Sequence, residues 1–481
     1  MIEANGDENI SSIAAHAYGQ LSAVQLASGL REGRWTSVEL TQHFINKIAE
    51  LNPQINAVVG IEASAALDQA EKSDRRRAEG VPLSPLDGMP MTVKDAFRMQ
   101  GYLSTYGFWM LSSYRPSTDC KVIAALRQCG VIFMGRTVVP TGSFDWNCVN
   151  QIHAECLNPF DASRTPGGSS GGAAAALALG MTPLELGSDF HGSLRYPAHC
   201  CGIYSLRTTD GWLPIADVGP EAFPATFKRI ATCGPMAKNL VDLQLLLAAL
   251  VEAFPLPKIA EPASATHRLR IAYSKEILGV KTDKATAELF DQMLNKLNAQ
   301  DHELSEISPA FDWDELYQMM GVIGGYEFSS VFPRYLRHNW SKSIYARLVL
   351  QSRIGKGAFL TYFRRGMLAS QSQYESALKC QQQIFAETEV FFSRYELWIL
   401  PVAPSAAIPR KLCGKKIPTA NGEVEYLRYL GSYLGPTATL GTPALATPIG
   451  HDQDGLPIAV QIHGPRFSDR RLVQLVGSIS I

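Results

Sequence analysis

Asp87-Gly-Met-Pro-Met-Thr-Val-Lys-Asp95 is the stretch from which the fold can be read. Its run Met89–Val93 is apolar, follows a glycine and ends in the charged pair Lys94-Asp95, the pattern of a short buried strand. Toward the C-terminus, Lys121–Gln128 has a helical pattern and Val131–Met134 is the next short apolar run. A strand, a helix and a strand in that order argue for α/β layering, with a sheet covered by helices. The same grammar continues with a strand at Arg268–Tyr273 and a helix from Lys284 to about Asn298. It ends with strands at Leu397–Val402, Ala444–Pro448 and Ile458–Ile462. Residues 311–395 are rich in aromatics and read as mostly helical.

Before the stretch, residues 1–80 read as a helical part packed on something larger. Ser22-Ala-Val-Gln25 and Thr36-Ser-Val-Glu39 are capping boxes, in which a hydroxyl and a side-chain acceptor satisfy two orphan backbone donors. The second helix is expected to place Leu40, Phe44, Ile45, Ile48 and Leu51 on one face before Pro53. No internal repeat or low-complexity linker divides the 481 residues, so one unit spanning 1–481 is expected despite a length that suggests two or three domains.

Composition narrows the function by exclusion. The 44 basic and 45 acidic residues balance to a net charge of −1, which offers nothing to attract nucleic acid or an anionic membrane. The basic run Arg75-Arg76-Arg77 is interleaved with Glu71, Asp74 and Glu79 and reads as a solvated helix face. The first residues carry neither a secretory nor a transit pattern, and no apolar run approaches the length of a membrane span. Nine cysteines, none in a CxxC pair, fit reduced thiols in a cytoplasmic protein.

Three segments carry candidate chemistry. In the first, an apolar strand ends in Lys94. A lysine that snorkels to solvent is the ordinary reading of such a position. If buried, its ammonium would be disfavoured and the neutral amine would be a competent base. The second is Arg164-Thr-Pro-Gly-Gly-Ser-Ser-Gly-Gly172, followed by the alanine-rich run Ala173–Ala178. It is either a flexible loop or a turn that brings Ser169 and Ser170 to a helix start. It lacks the Gly-Lys-Ser/Thr ending of a phosphate loop. The third is Gly187-Ser-Asp-Phe-His-Gly-Ser-Leu-Arg-Tyr-Pro197, in which Ser193 follows a turn whose backbone N–H groups could face an oxyanion. No histidine–acid pair at a serine-hydrolase spacing accompanies it, and G-x-S-x-G is absent, but a Ser-Lys arrangement needs no histidine. His153 and His199 show no ligand spacing with cysteines or carboxylates, and neither metal nor organic cofactor is expected.

Taken together, the three segments closely resemble the amidase signature family. Lys94 precedes Ser169 by 75 residues (169 − 94), and Ser169 precedes Ser193 by 24 (193 − 169). Asp145-Trp146-Asn147, Asn158-Pro159, Cys201-Gly202, Gly234-Pro235-Met236, the opening Ser37–Val59 and the late strand Gly455–Gln461 agree with it. The resemblance runs from about residue 20 to the end and is weakest over 311–395. It implies a single domain with a central mixed, twisted sheet covered by helices on both faces. Residues 82–240 would be its signature core, and 311–395 a variable region shaping the substrate pocket. It further implies that Ser193 is the nucleophile, Ser169 a serine on a cis peptide, and Lys94 the base that starts the proton relay. The backbone N–H groups of Phe190, His191, Gly192 and Ser193 would form the oxyanion hole. Asp189 and Arg195 would pair in support, while Ser170 either orients the oxyanion segment or is an ordinary loop hydroxyl.

The implied function is hydrolysis of a small-molecule carboxamide through an acyl-enzyme, in the cytoplasm, with no nucleic acid or membrane as partner; a second copy of the chain is admitted as one. A component of an amidotransferase, an esterase or acyl transferase on the same site, and a non-catalytic binding protein on the same scaffold are the competing readings. Asp145-Trp146-Asn147 resembles stand-alone bacterial amidases more than amidotransferase components. The clearest departure is His191, where most members have glycine. It could face away and pack, line the pocket and alter selectivity, or displace the loop. Leu206-Arg207-Thr208-Thr209 also departs, from a lysine–proline run that is structural in the family. Tyr317, Tyr326, Phe328, Phe332 and Tyr335 could build an apolar acyl pocket but are read first as core.

Overall fold

The computed structural model describes residues 21–221, 227–258, 268–330, 339–345 and 358–481. Both predicted capping boxes are formed. Ser22 Oγ accepts the Gln25 N–H while Gln25 Oε1 accepts the Ser22 N–H; Thr36 and Glu39 do the same one helix later. Such a cap stabilises a helix start by about 1 kcal/mol. The helices so started span Ala23–Glu32 and Ser37–Ile55. The second runs through Pro53 rather than stopping before it. Pro53 lies in the last turn, and Asn56, in the left-handed region at φ 58°, ends the helix.

The sheet has eleven described strands: β1 (Val58–Val59), β2 (Pro90–Lys94), β3 (Ile132–Thr137), β4 (Glu185–Asp189), β5 (Tyr204–Arg207), β6 (Thr232–Ala237), β7 (Arg270–Tyr273), β8 (Glu303–Glu306), β9 (Leu397–Pro401), β12 (Ala444–His451) and β13 (Pro457–His463). Two more, β10 (Lys416–Thr419) and β11 (Gly422–Glu425), form a separate hairpin. The order across the sheet is β1-β3-β2-β4-β6-β5-β12-β13-β9-β7-β8. β3, β2 and β4 are parallel, as are β9, β7 and β8, and an antiparallel block joins the two groups. The expected α/β domain on a mixed sheet is therefore present.

Both faces of this sheet are buried, and strand periodicity divides the core. Leu397, Ile399, Leu445, Val460 and Ile462 join one apolar cluster with the N-terminal helices and the helices Leu240–Ala253 and Asp469–Ser478. Trp398, Leu400, Ala446 and Ala459 join the other, with the helices Trp313–Ser329 and Tyr426–Thr439. The described part of 311–395 is helical apart from short connections. Tyr317 and Phe328 are buried in the second cluster, and Tyr326 is half-buried; Phe332 and Tyr335 lie outside the described residues.

This topology positions the site. β2 lies between β3 and β4, with Thr92 opposite Glu185 and Val93 opposite Leu186, so Lys94 ends its strand beside the C-terminal end of β4. The helix Gly171–Ala178, buried from Gly171 through Leu177, packs against the same strands. Its glycine and alanine content lets it approach them closely.

Candidate active site

Lys94 is fully buried, so the snorkelling alternative does not apply. Its Nζ lies 2.8 Å from Ser169 Oγ, 3.0 Å from Ser188 Oγ and 3.1 Å from the Ser188 carbonyl oxygen. All three neighbours are uncharged. Burial pushes the amine down to about 7, against the opposing pull of Cys148, Asp189 and Glu185. A neutral lysine amine has two N–H groups and one lone pair. The two donors suit the Ser188 carbonyl and hydroxyl, which leaves the lone pair for the Ser169 O–H.

Ser169 follows a cis peptide bond from Gly168. Gly168 is packed so closely that a Cβ on it would stand 2.5 Å from the Asp145 carbonyl oxygen. Ser170 donates its N–H to the Ser193 carbonyl at 3.2 Å, which ties the GGSSGG loop to the turn after β4. Its hydroxyl donates to the Ser188 carbonyl at 3.3 Å, so Ser170 joins the two segments. Ser193 sits just before the helix Arg195–Cys201, on a turn in which Gly192 adopts φ 93°. It is 7% exposed, against 1% for Ser169, and it lines a cavity of about 420 Å³ measured out to its open mouth. The other walls are Ser143, Phe144, Asp145, Trp146, Phe190, His191 and Leu427. None of the described residues of 311–395 lines this cavity. They stand one layer behind it, Phe328 edge-on to Phe144 and Tyr317 edge-on to His191.

One residue of the expected oxyanion set is committed elsewhere. The Gly192 N–H donates to Asp189 Oδ1 at 2.7 Å, and the Leu194 N–H to Asp189 Oδ2 at 3.0 Å. Asp189 also takes Arg195 Nε at 3.1 Å and stands 3.7 Å from Arg207 Nε, all three side chains being fully buried. Burial alone would raise this carboxyl, but the two guanidinium groups and the N–H donors hold it well below the usual carboxylate range. Arg195 goes on to Thr437 Oγ1, Gln461 Oε1 and the Leu434 carbonyl. Arg207 reaches Asp210 and the Ala438 carbonyl. The Ser193 turn is thereby anchored to the C-terminal third of the chain.

Sequence reasoning did not single out Ser188, Glu185, Trp146 or Arg207 for the parts they play. Ser188 supplies two of the three oxygens around Lys94. Glu185, fully buried, accepts the hydroxyls of Thr92 and of Thr137 (3.3 Å), and burial raises it to about 8. Trp146 Nε1 donates to the His191 carbonyl at 2.7 Å. The signal available was the presence of Ser188, Trp146 and Arg207 inside quoted segments; their contacts need distant segments to be brought together by the fold. His199 is structural, its ring nitrogens meeting the Ser405 carbonyl and the Ala459 N–H. Among the described residues no three His, Cys, Asp or Glu side chains cluster as a metal would require, and the nine cysteines are free thiols.

A sheet of this topology, with a buried lysine against a serine of a glycine-rich loop, defines an amidase-type scaffold. The chain belongs to the Amidase family, whose model matches residues 39–473. It is 29% identical to the A component of the glutamyl-tRNA(Gln) amidotransferase of Leptospira interrogans serovar copenhageni, over 95% of each chain. The corresponding component from Chloroflexus aggregans is 30% identical, again over 95% of each chain. Among solved structures, a bacterial aryl acylamidase of the amidase signature enzymes superposes with a TM-score of 0.76 at 20% identity, over 94% of each chain. No described helix is long and apolar enough to cross a membrane.

Proposed function

We propose that this chain hydrolyses a carboxamide to a carboxylic acid and ammonia or an amine through an acyl-enzyme on Ser193. The observation that carries the reading is the buried amine of Lys94, held among neutral oxygens at 2.8 Å from Ser169 Oγ. Neutral Lys94 takes the Ser169 proton as Ser169 takes that of Ser193. Ser193 Oγ then bonds to the amide carbonyl carbon. Backbone N–H groups on the turn 190–193, other than that of Gly192, hold the oxyanion. Collapse of the tetrahedral intermediate breaks the C–N bond, and the relay run backwards protonates the leaving nitrogen. Water, deprotonated by the same relay, releases the acid. Asp189, Arg195 and Arg207 act by holding the turn.

The test is labelling with a fluorophosphonate, in which Ser193 Oγ displaces fluoride from phosphorus. Native protein should be labelled and should turn over simple amides, whereas Ser193→Ala should lose both, its rate falling by about 10⁴-fold or more. Equal labelling of the variant would remove Ser193 from the reaction.

The curated relatives favour a second reading, in which the same site releases ammonia within a multi-component amidotransferase like those the relatives are named for. Co-purification of the native chain with a tRNA-binding protein, and an amidase rate that depends on it, would decide for that reading. A full rate on free amides by the isolated chain would decide for the first.

A further inference from the structure

The residue that departs from the family pattern beside the nucleophile is held on every side. His191 is 7% exposed and lines the cavity together with Ser193. Its carbonyl accepts Trp146 Nε1, and its ring lies against the Trp146 indole, with centroids 5.1 Å apart, and edge-on to Tyr317 at 5.9 Å. The far end of the imidazole fits a notch in the helix Tyr426–Thr439. A Cβ on Gly435 would stand 2.0 Å from His191 Nε2 and 2.6 Å from the Tyr317 hydroxyl. One turn earlier, a Cβ on Gly431 would stand 3.1 Å from the same hydroxyl, which donates to the Gly431 carbonyl. Two glycines four residues apart share one helix face. A larger residue at Gly435 would therefore push the imidazole out toward the cavity. Burial holds the ring down to about 3, with Arg195 adding to the effect, so the imidazole is neutral throughout the working range of pH.

We infer that the His191 side chain is a specificity-determining wall that sets the size of the substrate group accepted beside Ser193, and that Gly431 and Gly435 are its seat. This rests on the reading of Ser193 as nucleophile. The ring's part is steric: it is packed between the rings of Trp146 and Tyr317, with Nε2 at the Gly435 notch. Of the other walls, Phe144, Trp146, Phe190 and Leu427 are apolar; Ser143 and Asp145 are polar, and Asp145 accepts the Tyr426 hydroxyl at 2.9 Å. The substrate class that fits is an amide carrying a small or flat apolar group.

The experiment compares second-order labelling rates with a methyl-sized and a long-chain or biaryl fluorophosphonate, in native protein, His191→Ala, His191→Gly and Gly435→Ala. The inference predicts that the bulky-to-small ratio rises at least tenfold in both His191 variants and falls in Gly435→Ala. A ratio that changes less than twofold in both His191 variants, with Ser193 still labelled, overturns the inference and leaves the nucleophile intact. Failure of the small probe to label folded native protein overturns the nucleophile reading, and this inference with it. Loss of the folded state in both His191 variants, read by circular dichroism, overturns it also, since the side chain would then be a structural residue.

Discussion

Lys94 and Asp189 are both fully buried and both charged in water, yet the protein treats them in opposite ways. Lys94 meets three neutral oxygens and no carboxylate at hydrogen-bond distance, and burial drives it toward the uncharged form. Asp189 meets two guanidinium groups and two backbone N–H groups, and they hold it ionised. Successive residues of an extended strand point to opposite faces, so Ser188 of β4 turns to the lysine and Asp189 to the arginines. One strand end thus separates a buried amine held toward its neutral form from a buried carboxylate held ionised. Burial pushes both groups toward neutrality; the partners decide which of them stays charged.

Substitutions on the two sides should therefore diverge. Lys94→Met should lower kcat/KM by about 10²–10⁴-fold, the usual worth of a positioned base, and a variant with the native rate would break the comparison outright. Asp189→Asn should destabilise the fold by about 3–5 kcal/mol in urea unfolding, because it strands Arg195 without a counter-charge and leaves Arg207 with Asp210 alone. In the same assay Lys94→Met should stabilise by on the order of 2 kcal/mol, a trade of function for stability. The unfolded chain holds a proton on Lys94 up to about 10.4, the folded chain only to about 7. Native stability therefore rises with pH across that window. The gain from Lys94→Met should be complete below pH 7 and shrink toward pH 10. The smallest effect is expected at Glu185. Its negative charge raises Lys94, but with its own carboxyl pushed up to about 8 it is mostly neutral where the lysine titrates. Glu185→Gln should lower the midpoint of the pH–rate profile by less than about one unit. An upward shift would mean that the glutamate acts on Lys94 by some means other than its charge.

The parts of this arrangement that could be read beforehand were local. Apolar runs located β2, β3, β9, β12 and β13, and the helix Lys121–Gln128 has the bounds its pattern implies. β4 did not read as a strand, because its sequence Glu185-Leu-Gly-Ser-Asp189 is polar at three of five positions; Thr92, Lys94 and Thr137 satisfy Glu185 and Ser188, and the turn and helix that follow satisfy Asp189. β8 carries two exposed glutamates at the sheet edge and has no apolar signal. The engagement of Gly192 by Asp189 depends on the path of a turn, and the seat of His191 lies in a helix more than two hundred residues later, so neither spacing nor periodicity could register them. Residues 311–395 were expected to line the pocket; their described part instead backs the residues that do, with Phe328 and Tyr317 packed behind Phe144 and His191.

The most direct test follows the rate of Ser193 labelling by a small fluorophosphonate in native protein from pH 5.5 to 9. An amine that must be deprotonated to open the relay predicts a rate that climbs through a single ionisation near pH 7 and then levels, with no such step in Lys94→Met. A rate in native protein that stays flat across that range, or falls as pH rises, would contradict an uncharged lysine as the base.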